Sequence, residues 1–275
     1  MSSISSTTLK LILQGVSDEA CFELMVSALD KGEFLFVREF CDPAWKLSAT
    51  RPKYSSDFMT ALLFSMMRDY SCELAVVQFL CNNYDIDVNS VDLQSTSLFD
   101  TALSSCDLNV AEYLVKRGAN PALKTGRKEG KYHYILRTAP RVRVLEIFNY
   151  LDSLGVEVDY AALPYAVFQL NDDSTEIISW LVEHGHGHYA GGMPFHAEAY
   201  LLRDAVLSAI RKDKFRTSVW LDKLDALLRS GIEPNPVVEN DFGHAMRLID
   251  YVNLQIKRYP DTTPKVAKLL KRYND

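Results

Sequence analysis

Three histidines alternate with glycine in His184-Gly185-His186-Gly187-His188, and His196 follows closely. Imidazole nitrogens ligate zinc, nickel and copper, so the run is the first place to look for metal chemistry. It has no carboxylate or cysteine companion and no helical HExxH spacing, which metalloenzyme sites use to complete their coordination. The run therefore reads as an exposed turn, with a metal-dependent enzyme built on His184, His186 and His188 as the alternative. A second cluster, Asp85, Asp87 and Asp92 beside Asn89, offers carboxylates for acid–base work. Its D-x-D-V-N pattern lacks the glycine and closing glutamate of a calcium loop. Asp and Asn at this density commonly hydrogen-bond the backbone of a turn, and that is the role expected here.

A third feature is electrostatic. Lys116, Arg117, Lys124, Arg127, Lys128, Lys131, Arg137, Arg141 and Arg143 face only Glu129 within one segment, a net +8. The whole chain of 275 residues carries -6, so the remainder sums to -14. Such a segment attracts an acidic partner and speeds encounter by electrostatic steering. Lys124, Arg127, Lys128, Lys131, Arg137 and Arg141 are the expected partner-binding residues. A nucleic acid or another anion is the alternative ligand. Only Tyr132 and Tyr134 interleave with these cations, which argues against a stacking platform for single strands. No catalytic residue is assigned, and no cofactor is expected.

Composition narrows the class further. Hydrophobic residues at 48% and charged residues at 24% suit a folded chain and exclude wholesale disorder. The five cysteines, Cys21, Cys41, Cys72, Cys81 and Cys106, are odd in number and never spaced as CxxC. A disulfide framework or zinc ribbon is not expected, and buried free thiols are. The N-terminal residues show no basic leader ahead of a long apolar run, and no window approaches the roughly 18 apolar residues of a spanning helix. The expectation is a cytoplasmic protein without membrane contact, or one delivered to a host cytosol, and a monomer.

These residues must be held by something, and the chain repeats itself. Asn109–Asn120 reads N-V-A-E-Y-L-V-K-R-G-A-N, Glu146–Gly155 reads E-I-F-N-Y-L-D-S-L-G and Glu176–Gly185 reads E-I-I-S-W-L-V-E-H-G. Asp222–Gly231 reads D-K-L-D-A-L-L-R-S-G, and weaker copies start at Leu35, Ala75 and Lys265. Apolar residues at the second, third and sixth positions, such as Val110, Ala111 and Leu114, form one stripe of an amphipathic helix. The glycine that follows suits a left-handed residue ending that helix. A second helix precedes each copy, as in Thr60-Ala-Leu-Leu-Phe-Ser-Met-Met and Thr96-Ser-Leu-Phe-Asp-Thr-Ala-Leu, with Thr as the expected N-cap. A helix pair of this kind cannot bury its apolar face alone and stacks on neighbours.

Thr96-Ser-Leu-Phe-Asp-Thr-Ala followed by Asn109–Asn120 resembles the ankyrin repeat, from its T-P-L-H-x-A-A opening to its E-I-V-K-L-L-L-E-K-G-A-D close. Asp85-Ile-Asp-Val-Asn89 is similar to the family's G-A-D-V-N entry into a hairpin. The match is best over residues 60–121. No copy keeps the T-P-L-H tetrapeptide intact, residues 212–218 form an insertion, and Pro140 shortens the first helix of its copy. The resemblance implies an all-α solenoid of about six or seven stacked helix-turn-helix repeats with short hairpin or loop fingers between them. Residues 1–19 would form a lead-in, 20–58 an atypical N-terminal cap, 59–238 the central repeats and 239–275 a C-terminal cap. It also implies protein recognition on a concave face and finger tips, by an inhibitor of immunity type, an effector or an adaptor. In the repeat register Thr125–Lys131 is a finger tip. Trp45, Trp180, Trp220, Tyr113 and Tyr150 fall mostly on the core side of their helices. Trp180 and Tyr113 share one position, where an exposed aromatic would anchor a partner.

Overall fold

The computed structural model describes residues 60, 63, 64, 66–68, 74–125, 130–159, 161–170, 174–184, 197–211, 217–240 and 243–274, together with Ser27. The weak copy at Leu35, Trp45, Cys21, Cys41, Cys72, Arg127, Lys128, Gly185, His186, His188 and His196 lie outside them. The described part is mostly helical, with one two-stranded sheet. None of its helices is long and apolar enough to cross a membrane. It falls into two compact units.

The first unit contains the described residues up to 125, with 138–140. Its helices are α1 (Leu74–Asn83), α2 (Leu98–Ser105) and α3 (Leu108–Lys116). Thr60, Leu63, Phe64, Met66, Met67 and Arg68 are also helical. The expected stripe is the core: Val110, Ala111 and Leu114 of α3 are fully buried, and so are Leu98, Ala102 and Leu103 of α2. α3 packs against both α1 and α2. The cap of α2 differs from the expectation by one residue. Ser97, in extended conformation, accepts the Asp100 N–H at 3.1 Å on Oγ, while Thr96 is buried in the preceding turn. Asp107 plays the same part for α3, accepting from Asn109 N–H at 3.3 Å.

The second unit contains the described residues of 130–137 and 141–274. It holds α4 (Lys131–Thr138, whose last residue groups with the first unit), α5 (Val144–Ser153), α6 (Ala162–Phe168), α7 (Thr175–His184), α8 (Ala197–Arg211) and α9 (Thr217–Arg229). A short hairpin of β1 (Val237–Glu239) and β2 (Ala245–Arg247), antiparallel with Val238 opposite Met246, leads into α10 (Leu248–Gln255) and α11 (Thr263–Asn274). α4 ends before Pro140, as expected, because proline cannot donate to the helix ladder. Of the expected insertion at 212–218, residues 212–216 lie outside the described ones, and Thr217 is the first residue of α9.

α7 packs on α5 and on α9, and α9 packs on α11. α6 packs on α8, and each lies against the second helix that follows it. Ile147, Phe148 and Leu151 of α5 and Ile177, Ile178 and Leu181 of α7 are buried at matching positions. Burying each such side chain contributes roughly 1.5–3 kcal/mol relative to leaving it in water.

Three helices end in one way. Gly118, Gly155 and Gly231 have φ of +97°, +70° and +102°. In each, the glycine N–H reaches back three residues and the next N–H five, as from Gly118 to the Val115 carbonyl and Ala119 to the Leu114 carbonyl, both at 2.9 Å. The pair of bonds satisfies carbonyls that the helix terminus leaves open, and only glycine takes this conformation without strain.

The stripe is broken at one place. Lys223 occupies the second position of its copy, where the others carry Val110, Ile147 and Ile177, and is 3% exposed. Its ammonium donates to the carbonyls of Val167 at 2.9 Å and Leu170 at 2.5 Å and lies 5.0 Å from the Trp220 ring. It thereby closes the C-terminal end of α6, where a cation also meets the negative end of the helix dipole.

Candidate functional site

The carboxylate cluster of the first unit builds a finger. Asp87 Oδ1 accepts the Asn89 N–H at 2.9 Å, which folds the entry. Val91 then bridges Ser97 across an antiparallel pair, and Asp92 organises the tip. Its Oδ1 accepts the N–H groups of Gln94 and Thr96, each at 2.8 Å, and its carbonyl accepts that of Ser95 at 2.9 Å. Oδ2 forms an ion pair with Arg68, which also donates to Gln94 Oε1 at 2.9 Å. The expected turn role is thus what Asp87 and Asp92 perform. With the backbone so tied, Leu93 projects from the tip 99% exposed, and Val91 is 48% exposed beside it.

The base of the finger is pinned by Asn89. Its Oδ1 accepts the Asn120 N–H at 2.8 Å and its Nδ2 donates to the Gly118 carbonyl at 3.1 Å. One amide side chain therefore joins the end of α3 to the start of the preceding hairpin.

The basic residues have divergent placements. Lys124 is exposed in the loop after α3, and Arg137 and Arg141 are exposed in the second unit. Lys131 is the first residue of α4 and is buried, so it is not available as a finger contact. Arg127 and Lys128 lie outside the described residues. Arg117 is structural: its guanidinium donates to the Cys81 carbonyl at 2.6 Å and to Asn82 Oδ1 at 3.4 Å, closing the end of α1. Cys81 and Cys106 are buried free thiols. Burial pushes the Cys81 thiol up to about 11, against the opposing pull of Arg117.

Trp180 is a core residue and not an exposed anchor. It is 8% exposed, its indole N–H donates to Asn149 Oδ1 at 2.7 Å, and its ring meets Phe148 at 5.0 Å and Tyr132 at 5.6 Å. Tyr113, at the equivalent position, is half-buried and donates its hydroxyl to Asn82 Oδ1 at 3.3 Å. His184 lies flat on Trp180, with ring centroids 4.1 Å apart, and its Nδ1 is 2.9 Å from the Trp180 carbonyl. Its partners His186 and His188 are outside the described residues. Among those described, no three His, Cys, Asp or Glu side chains gather closely enough to hold a metal ion.

A polar arrangement invisible in the sequence lies at the start of α4. Asp159 follows Gly155 at the interval by which Asn89 ends its own turn, and its Oδ2 accepts the His133 N–H at 3.0 Å. Burial raises the pKa of this carboxyl, while the α4 N–H groups and His133 oppose the rise. Gly130 is obligatory beside it, because a Cβ there would stand 2.1 Å from the Asp159 Cβ. Neither residue carries a motif. Only the alignment of Val156–Asp159 on Ile86–Asn89 could have pointed to the aspartate.

A scan against protein-family models finds no match for this chain, and comparison with curated proteins finds none either.

Proposed function

We propose that this chain is a non-catalytic protein-binding module built as a solenoid of divergent ankyrin-like repeats. The reading is supported by the recurring helix pairs, the three identical glycine-ended helices and the packing of α7 on α5 and α9. Its partner is a protein with an acidic patch, engaged by finger tips and by the exposed cations Lys124, Arg137 and Arg141. The module acts by occlusion or scaffolding, as an immunity-type inhibitor, an effector or an adaptor.

The observation that carries the proposal is Leu93. Its side chain is 99% exposed, with Val91 48% exposed beside it, so the tip offers an apolar contact to a partner. Here it is displayed on a turn held by three backbone N–H bonds to one aspartate, so little conformational entropy is lost when a partner covers it. The test is affinity capture from the source organism with wild-type protein, with Leu93→Asp, and with Lys124→Glu, Arg137→Glu and Arg141→Glu combined. A partner retained by the wild type and lost from both variants is the expected result. A variant that leaves capture unchanged overturns the role of the residues it replaces. Stoichiometric zinc or nickel in the purified protein, lost on replacing His184, His186 and His188, overturns the non-catalytic reading.

A further inference from the structure

α11 has two faces. Val266, Ala267 and Leu270 are buried, while Lys265, Lys268 and Lys271 are exposed on the opposite side. At 3.6 residues per turn these three cations share an arc of about 120° and span about 9 Å of the axis. The turn that leads into α11 adds Lys257 and Arg258, both exposed. From Lys257 to Arg272 six cations meet one acid, Asp261, a net +5. Arg272 pairs with Asp225, whereas the other five cations form no ion pair among the described residues. A second feature adjoins them. Leu254, in the last turn of α10, is 61% exposed, and Ile256, just beyond it, is 39% exposed. Two of the few exposed large aliphatic side chains thus directly precede the cationic turn.

We infer that the α10–α11 pair docks on the surface of an anionic phospholipid bilayer. The inference goes beyond the protein-binding reading and does not depend on it. The cations are spread along an open helix face and not gathered around one point, which suits a sheet of headgroups better than a single anion. Each lysine or arginine held at such a surface strengthens binding about fivefold. A nucleic acid also offers phosphates in a row, but it gives no return for covering Leu254 and Ile256. The boundary between headgroups and acyl chains does, because aliphatic side chains enter it while neighbouring cations stay with the phosphates. The net charge of -6 on the whole chain does not prevent this. At physiological salt the Debye length is about 8 Å, so a bilayer touching α11 feels the adjacent cations and is screened from more distant carboxylates. The expectation of no membrane contact rested on the want of a spanning helix, and adsorption to a surface needs none.

The test is co-sedimentation of the full-length protein with vesicles of phosphatidylcholine and phosphatidylserine in a roughly 7:3 ratio, at about 100 mM salt. Binding is expected to these vesicles and not to phosphatidylcholine alone. Lys268→Gln should weaken it about fivefold, and Lys265→Gln combined with Lys268→Gln at least tenfold. Lys116→Gln removes the same charge from the first unit and should change binding less than twofold. Leu254→Ser combined with Ile256→Ser should weaken it about threefold or more, since the inserted apolar area is lost. Absence of binding to the mixed vesicles overturns the inference. Equal weakening by Lys268→Gln and Lys116→Gln also overturns it, for only net charge would then be felt. So does full binding by the Leu254 and Ile256 variant, or tighter binding of a short DNA duplex at the same salt, either of which would assign the face to a soluble polyanion.

Discussion

Asn89 holds the backbone of Asn120 across 31 residues of sequence, accepting its N–H at 2.8 Å while donating to the Gly118 carbonyl at 3.1 Å. Leucine or alanine at position 89 makes neither bond, and aspartate makes only one. Each bond is worth about 1 kcal/mol net. Asn89→Ala should therefore lower stability by about 2 kcal/mol, and Asn89→Asp by less. Denaturant unfolding checks the order, and equal loss in the two variants would assign the effect to the turn alone.

The glycines divide into two kinds. Gly118, Gly155 and Gly231 need their φ and nothing else, since a Cβ at each meets no atom within 4 Å. Alanine at any of them should cost about 1–2 kcal/mol, the strain of a left-handed residue. Gly130 needs its space. Gly130→Ala should cost about 2–3 kcal/mol as overpacking and displace Asp159 from α4. Loss of hydrogen-exchange protection at His133 N–H in that variant alone is the distinguishing sign.

Lys223→Met keeps the length of the side chain and removes the ammonium. The carbonyls of Val167 and Leu170 then lose their donor, a penalty of about 1–3 kcal/mol. A methionine fits the apolar stripe better than lysine does, so a stabilised Lys223→Met would mean that the two carbonyls find other donors. Thermal unfolding decides the sign.

Asp159 and Asp225 respond to acid in opposite directions. Burial raises Asp159 above its ordinary 3.8, so the folded state holds that proton more tightly than the unfolded chain. The stability it contributes is full below pH 3.8 and is lost as pH rises through the folded value. At Asp225 burial pulls upward, but the Tyr273 hydroxyl, Arg272 and Arg229 outweigh it and hold the carboxyl below 3.8. Its contribution is present above pH 3.8 and is lost as pH falls through the folded value. Relative to wild type, Asp159→Asn should gain stability as pH rises from 3.8, and Asp225→Asn should gain as pH falls below it. Denaturant curves from pH 3 to 7 check both, and parallel curves would contradict the placement of one carboxyl.

Cys81 and Cys106 should resist alkylation in the folded protein. Both are buried, and with Cys81 raised to about 11 only about one thiol in a thousand is thiolate at pH 8. Peptide mapping after brief iodoacetamide treatment should find both unmodified, and both labelled once denaturant is added.

Much of this arrangement was legible because it depends on short-range rules. The glycines at 118, 155 and 231 sit a fixed distance past a core leucine, and the apolar pairs at 110–111, 147–148 and 177–178 share one helical stripe. What was not legible depends on partners distant in sequence. Lys223 breaks the stripe, and nothing local shows that two carbonyls more than fifty residues away will receive its ammonium. Lys131 counted as a finger cation because charge was read along the chain, yet its place at the head of α4 buries it. Trp180 and Tyr113 share a register position and differ in burial, because Asn149, Phe148 and Tyr132 surround the tryptophan.

The hairpin tip has a consequence for proteolysis. Leu93 presents a side chain that chymotrypsin-like enzymes accept, at 99% exposure. Such enzymes must draw several residues around the scissile bond into an extended strand. The N–H groups of Asp92, Gln94, Ser95 and Thr96 are all bonded within the turn, and Ser95 sits at φ +58°, far from extended. The most exposed large apolar residue among those described is thus shielded from cleavage by the geometry of its own backbone.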